Sequence, residues 1–142
     1  MDYQTLKTEL LEPVYSGLSD ADAAVLLNTE NISIKQEIES HDIRQYLMLV
    51  DLLIVIENGA SDAAIKAARA LDIFPVFNMA NPMIEGKFIA ILDGLVADVT
   101  IPDFLEAHKN TILSMGNKTI SRANELGLGA VREGDIQFAR GL

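Results

Sequence analysis

Residues 42–58, reading DIRQYLMLVDLLIVIEN, constrain this chain more than any other stretch. Eleven of the seventeen are apolar (Ile43, residues 46–50 and residues 52–56), and Asp51 is the only charge between Arg44 and Glu57. The run falls short of the ~20 predominantly apolar residues that a bilayer-spanning helix needs. It is therefore expected to be the buried central element of a globular chain. Two conformations fit it. In one, residues 52–56 form a buried strand, 57–62 a loop, 63–71 a helix and 73–77 a second strand. That βαβ pattern places Gly59 at a strand exit, where a phosphate-binding loop would lie. In the other, residues 43 to 57 form one long buried helix and Ser61 caps the next. The β-branched Ile54, Val55 and Ile56 favour the strand. The length of the run, and the Leu, Met, Gln and Arg of its first half, favour the helix. A dinucleotide fingerprint needs G-x-G-x-x-G, and N-G-A-S-D-A offers one glycine. On the residues alone both conformations stay open.

Composition narrows the classes of function. A chain of 142 residues with 49% hydrophobic residues has the make-up of one globular domain, outside the disordered class. Its formal net charge is −10, and its 11 basic residues are scattered without a polybasic run. Gripping phosphates takes clustered Lys and Arg, so direct nucleic-acid binding is not expected. An acidic surface can imitate nucleic acid, but here the carboxylates are spread along the chain, as on an ordinary solvated surface. Cysteine is absent, which removes disulfides and thiolate metal sites. The first residues are polar and acidic and do not read as a signal peptide, which fits a reducing cytoplasm.

Local signals predict a succession of helices. Tyr3, Leu6 and Leu10 give an apolar stripe over residues 3–11, which Pro13 ends. Gly17 marks a turn, Ser19 an N-cap with Asp22 three residues on, and a helix follows over 20–27, ending at Asn28. Residues 31–39 read as extended, turning to helix. Ser61 caps an alanine-rich helix over 61–71 with Ile65, Ala68 and Leu71 (or Leu71 with Ala64) inward. Pro75 makes 73–78 a connector or edge strand. Asn81 and Pro82 are an N-cap with proline at the first helical position. Ile84, Phe88, Ile91, Leu92 and Leu95 then follow at helical spacing over 83–96. A helix over 101–115, with Phe104, Leu105, His108 or Ala107, and Ile112 inward, is closed by Gly116 in a left-handed conformation. Residues 120–126 read as two helical turns ended by Gly127, and 133–140 as a final turn and a half. No internal repeat is present.

The catalytic vocabulary is sparse. Two histidines far apart and no cysteine cannot build a thiol dyad or a histidine-rich zinc site in one chain. His41 and Asp42 adjoin, but neighbouring helical residues point in different directions. His108, with Phe104 and Ile112 four residues to either side, reads as a packed or half-exposed histidine rather than a general base. Asp103 and Glu106 could share a cation, but this spacing is common on helices and a solvated helix face is the preferred reading. Asp51 would cost several kcal/mol if buried alone, so it is expected at an exposed edge or paired with Lys66 or Arg69. The box from Thr119 to Arg140 contains the Ala123-x-x-x-Gly127 step of a helix-turn-helix. Its second helix is short and carries Glu133 and Asp135 where phosphates would approach, so a structural helical hairpin is preferred.

One resemblance adds to this reading. It lies in Tyr3-x-x-Leu6-Lys7-x-Glu9-Leu10, in Tyr15-x-Gly17-Leu18-Ser19-Asp20-Ala21-x-Ala23-Ala24 with Leu27-Asn28, in Ser121-Arg122-Ala123-x-Glu125-Leu126-Gly127-Leu128-Gly129, and in Val131, Gly134-Asp135-Ile136 and Ala139-Arg140. This pattern resembles a family of small proteins of tailed bacteriophages and prophages. It covers about the first 28 and last 24 residues, and the middle, including residues 79–99, lies outside it. The family's members look mostly helical, which implies helix rather than βαβ for residues 42–58. The fold expected is then mainly α: a single-domain bundle over residues 1–142 around a central buried helix, with one or two short extended segments. The resemblance brings no catalytic motif, so it assigns no catalytic, cofactor-binding or metal residue and implies no cofactor. It implies a virion or assembly protein made in a bacterial host's cytoplasm, not an enzyme. Its partners would be other phage structural proteins or copies of itself, with no direct nucleic-acid binding and no membrane.

Overall fold

The computed structural model describes residues Met1–Leu142. In chain order the elements are α1 (Tyr3–Leu10), α2 (Asp20–Asn28), β1 (Glu30–Lys35), β2 (Glu37–Glu39), α3 (Ser40–Leu49), α4 (Leu53–Glu57), α5 (Asp62–Ile73), β3 (Val76–Asn78), α6 (Pro82–Ala97), α7 (Glu106–Ser114), β4 (Asn117–Ser121), α8 (Arg122–Glu125) and α9 (Glu133–Gly141). The chain is mainly α. Its strands make two two-stranded sheets, β1 with β4 and β2 with β3. The β2–β3 pair is antiparallel, with Ile38 opposite Phe77. No parallel βαβ unit forms, because residues 52–57 are turn and helix rather than strand.

Capping residues set the starts of α2, α5 and α6. Ser19 accepts from the amide of Asp22 at 3.1 Å, Ser61 from that of Ala64 at 3.2 Å, and Asn81 from that of Met83 at 3.0 Å. Each satisfies an amide left over in a first helical turn. The expected helix over 101–115 begins later, at Glu106. Asp98 takes both the amide and the hydroxyl of Thr100, at 2.9 and 2.7 Å, and holds that segment in turns instead. The expected helix over 120–126 is likewise shorter: Ile120 lies in β4, and only α8 is helical.

Apolar side chains gather into two clusters, and the chain divides into two compact units. The first unit joins Met1–Ser33 to Thr119–Leu142. Its α9 packs on α1 and α2, burying Leu6, Leu27, Val131, Ile136 and Ala139. Every segment that carries the phage resemblance lies in this unit, so the two ends of the sequence meet as one body. Polar pairs bind them: Tyr3 to Asp135 at 3.0 Å, Glu9 to Arg122 at 2.9 Å and Asp20 to Arg140 at 2.6 Å. Asn28 pairs through both side-chain atoms with the backbone of Val131, at 2.6 and 2.9 Å. α8 closes in a Schellman motif. Gly127 has φ +72°, its amide reaches Asn124 O, and the amide of Leu128 reaches Ala123 O at 2.9 Å.

The second unit is Ile34–Lys118. Its core holds Ile43, Leu47, Leu52, Ile56, Phe88, Leu92, Leu95, Phe104 and Ile112. Here the central stretch needs correcting. Residues 42–58 are not one continuous buried helix but α3 and α4, turned against each other at Asp51, which has φ +62°. The amide of Asp51 donates to Met48 O at 3.1 Å and that of Leu52 to Leu47 O at 2.8 Å. This is again a Schellman closure, with aspartate in the left-handed position usually given to glycine. Leu52 folds back on Leu47 and both are buried. The stretch therefore contributes one side to the core and leaves Met48, Leu49, Ile54 and Val55 in solvent. A bundle organised around a single central helix is not what the chain builds.

Three smaller expectations change as well. Of the two stripes read for α5, it is Leu71 with Ala64 that is buried, together with Ala67, and Ile65 is outward. Ile84 is exposed rather than inside α6. Gly116 is not left-handed; it packs closely, and a Cβ there would stand 3.0 Å from Met79 Cγ and 3.1 Å from Ile38.

Candidate functional site

The ionisable residues singled out in the sequence turn out to be dispersed. His41 and Asp42 are exposed at the start of α3. His108 is half-buried between the rings of Tyr46 and Phe104, and its Nδ1 accepts from the amide of Leu105 at 3.0 Å, capping α7. Asp103 and Glu106 share no cation. Glu106 instead pairs with Lys109, which also meets Asp93, and these carboxylates raise the Lys109 ammonium above its ordinary value, Asp93 foremost. Asp51 is exposed and forms no ion pair with Lys66 or Arg69. No group of three or more His, Asp or Glu side chains is placed to hold a metal ion. Gly59, which invited comparison with a phosphate loop, is glycine for a packing reason: a Cβ there would lie 2.5 Å from that of Ala64. In the helix-turn-helix box, Asp135 caps α9 by accepting from the amide of Arg132 at 2.9 Å. Ile136 and Ala139 of the would-be reading helix are buried.

The first unit contains a polar cluster that spans the sequence. Glu9 is 8% exposed and accepts the Arg122 guanidinium through both oxygens, at 2.9 Å each; Oε1 also accepts the Tyr15 hydroxyl at 3.0 Å. Arg122 holds the Glu9 carboxyl below its ordinary value, and the Tyr15 hydroxyl adds to the effect. Burial and the Glu9 carboxylate push the Tyr15 phenol up to about 12. Glu9 thus stays ionised and Tyr15 neutral across the physiological range. With Arg122 they clamp α1 to α8. The shallow cleft above it is lined by Gln4, Thr5, Thr8, Glu12 and Leu126, with no further cation beside Arg122.

The second unit exposes apolar side chains in two places. At the α3–α4 corner Met48, Leu49 and Ile54 are 59%, 79% and 66% exposed, arranged around Asp51. Beside β3 lies a groove with Phe77 and Phe88 as its floor, their ring centroids 4.7 Å apart. Phe74, Val76 and Ile84 form its rim, Phe74 being 53% exposed, and Lys87 is its one charged lining residue. The unit's interior offers nothing comparable: a void of about 20 Å³ among core side chains holds at most a water.

Sequence reasoning missed both surfaces: the apolar run over residues 46–56 reads as interior, and the groove is assembled from side chains of α5, β3 and α6 that only the fold brings together. The signal that could have revealed the corner is Asp51 followed by Leu52, a left-handed-tolerant residue and an apolar one directly after a helical run. Comparison with protein-family models, with characterised proteins and with solved structures gives no match.

Proposed function

We propose that this chain is a structural component of a tailed-bacteriophage particle, of its neck, tail or capsid surface, and that it works through protein–protein contacts rather than catalysis. The observation that carries the reading is the pair of exposed apolar surfaces on the second unit, the α3–α4 corner and the groove beside β3. Apolar side chains exposed in groups, rather than singly, are the usual mark of an interaction surface. The sequence resemblance, concentrated in the first unit, supplies the phage context. In this reading the first unit is the shared body and the second carries the contacts particular to this chain. Its partners are other phage structural proteins or further copies of itself. It takes no cofactor, and its place is the virion after synthesis in the host cytoplasm.

A second reading is favoured by the charge of −10. An acidic intracellular binder, such as an assembly chaperone or an inhibitor of a host factor, would use that charge against a basic partner. Mass spectrometry of purified particles separates the two. The virion component appears at a fixed copy number per particle, whereas its absence from particles overturns the first reading in favour of the second.

A further inference from the structure

We infer that this chain associates head to tail with copies of itself, the α3–α4 corner of one copy entering the groove beside β3 of the next. The inference rests on the reading that the chain acts through protein contacts, and it names the partner and the faces used.

Three observations converge on a second copy. The first is exposure. Two apolar surfaces occupy one unit, one a corner at which Leu49 and Ile54 are 79% and 66% exposed, the other a groove floored by Phe77 and Phe88. The second is charge. A chain at −10 repels its own copies in general, so a self-contact needs a place where the charges oppose. The corner carries one carboxylate, Asp51, with no cation paired to it, and the groove one cation, Lys87, with no carboxylate paired to it. Docking the corner into the groove brings these two together among apolar neighbours. The third is the backbone at Asp51. Glycine is the least strained residue at φ +62°, and aspartate there retains a charge at the centre of the exposed patch.

Because the corner and the groove are different surfaces, the contact is heterologous. It leaves a free groove at one end and a free corner at the other, and so builds a ring if the rotation closes and an open filament if it does not.

The test is the mass of the full chain by sedimentation velocity, from low micromolar to several hundred micromolar. The expected result is a mass that rises above the monomer with concentration. Leu49→Glu and Ile84→Glu, both at exposed positions, each leave a monomer with unchanged circular dichroism. An equimolar mixture of the two variants forms a complex that stops at the dimer, since one intact corner then meets one intact groove. Lys87→Glu weakens association roughly tenfold or more by setting like charges together. A wild-type chain that stays monomeric throughout overturns the inference. So does an oligomer that survives Ile84→Glu or Leu49→Glu, or a mixture that stays monomeric. None of these outcomes bears on whether the protein is found in particles, so the two readings fail separately.

Discussion

Glu9 and Tyr15 show how much of the first unit's stability one pair of residues can tie to pH. Glu9 is ionised in the folded chain below its ordinary value of 4.5, because Arg122 grips it. Its contribution is therefore complete above that value and is lost as the pH falls through it and below. Tyr15 behaves oppositely. Its phenol ionises at 10 in an unfolded chain and at about 12 in the folded one, so its contribution is whole below pH 10 and is lost as the pH rises from 10 towards 12. The loss is on the order of 2 kcal/mol when complete. Glu9→Gln should flatten the acid limb of a stability–pH profile, cost about 1–2 kcal/mol at neutral pH, and shrink the alkaline limb in part, since the Glu9 carboxylate is one cause of the raised Tyr15 phenol. Tyr15→Phe should flatten the alkaline limb and trim the acid limb slightly, since its hydroxyl helps Arg122 hold the Glu9 carboxyl down. Urea unfolding from pH 3 to 11.5 reads both limbs, and an alkaline limb unchanged by Tyr15→Phe would show that another group controls it. Neither residue announced this role in sequence: Glu9 and Arg122 stand 113 positions apart, and only the fold sets them side by side.

Among the elements, the break between α3 and α4 decides what the most apolar stretch of the chain becomes. Helix propensity, which the first half of the run possesses, was legible; so were the caps Ser19, Ser61 and Asn81, because a cap acts on amides two or three residues away. The break was not, since it depends on one left-handed residue whose cost is met by burying Leu52 against Leu47. β4 escaped for a related reason: Ile120 is extended because β1, far away in sequence, pairs with its strand. Substitution at Asp51 tests the closure. Asp51→Gly should leave stability unchanged or raise it by up to about 1 kcal/mol, and Asp51→Val should lower it by about 1–2 kcal/mol, following the steric cost of φ > 0 for residues with a Cβ. Denaturant unfolding measures the series. If valine proves as well tolerated as glycine, the left-handed turn is not what splits the run, and α3 and α4 can merge into the straight helix that the sequence suggested.

For the whole molecule, the division of the chain into two units matters more than any helix boundary. The first unit is assembled from both ends of the sequence, and the chain leaves it within β1 and re-enters it within β4. A sequence reading saw one domain of ordinary size, because nothing in the composition changes at residues 33 and 118 and no linker rich in Gly, Pro or Ser marks the crossing. The segments at the two ends that carry the resemblance have limits close to those of the first unit. Such a division has a physical consequence. The second unit owns a core of its own, from Ile38 to Ile112, to which no residue of the first unit's cluster belongs. A piece comprising residues 30–121, retaining both β1 and β4, should therefore fold by itself. It should show one cooperative thermal transition, helical circular dichroism, and slow amide exchange at core positions such as Leu47, Ile56 and Leu92. A piece that remains unfolded, or that melts without cooperativity, would mean that the second unit needs the first as a template. Success would show that the second unit folds without the clamp of Glu9, Tyr15 and Arg122 that ties together the first.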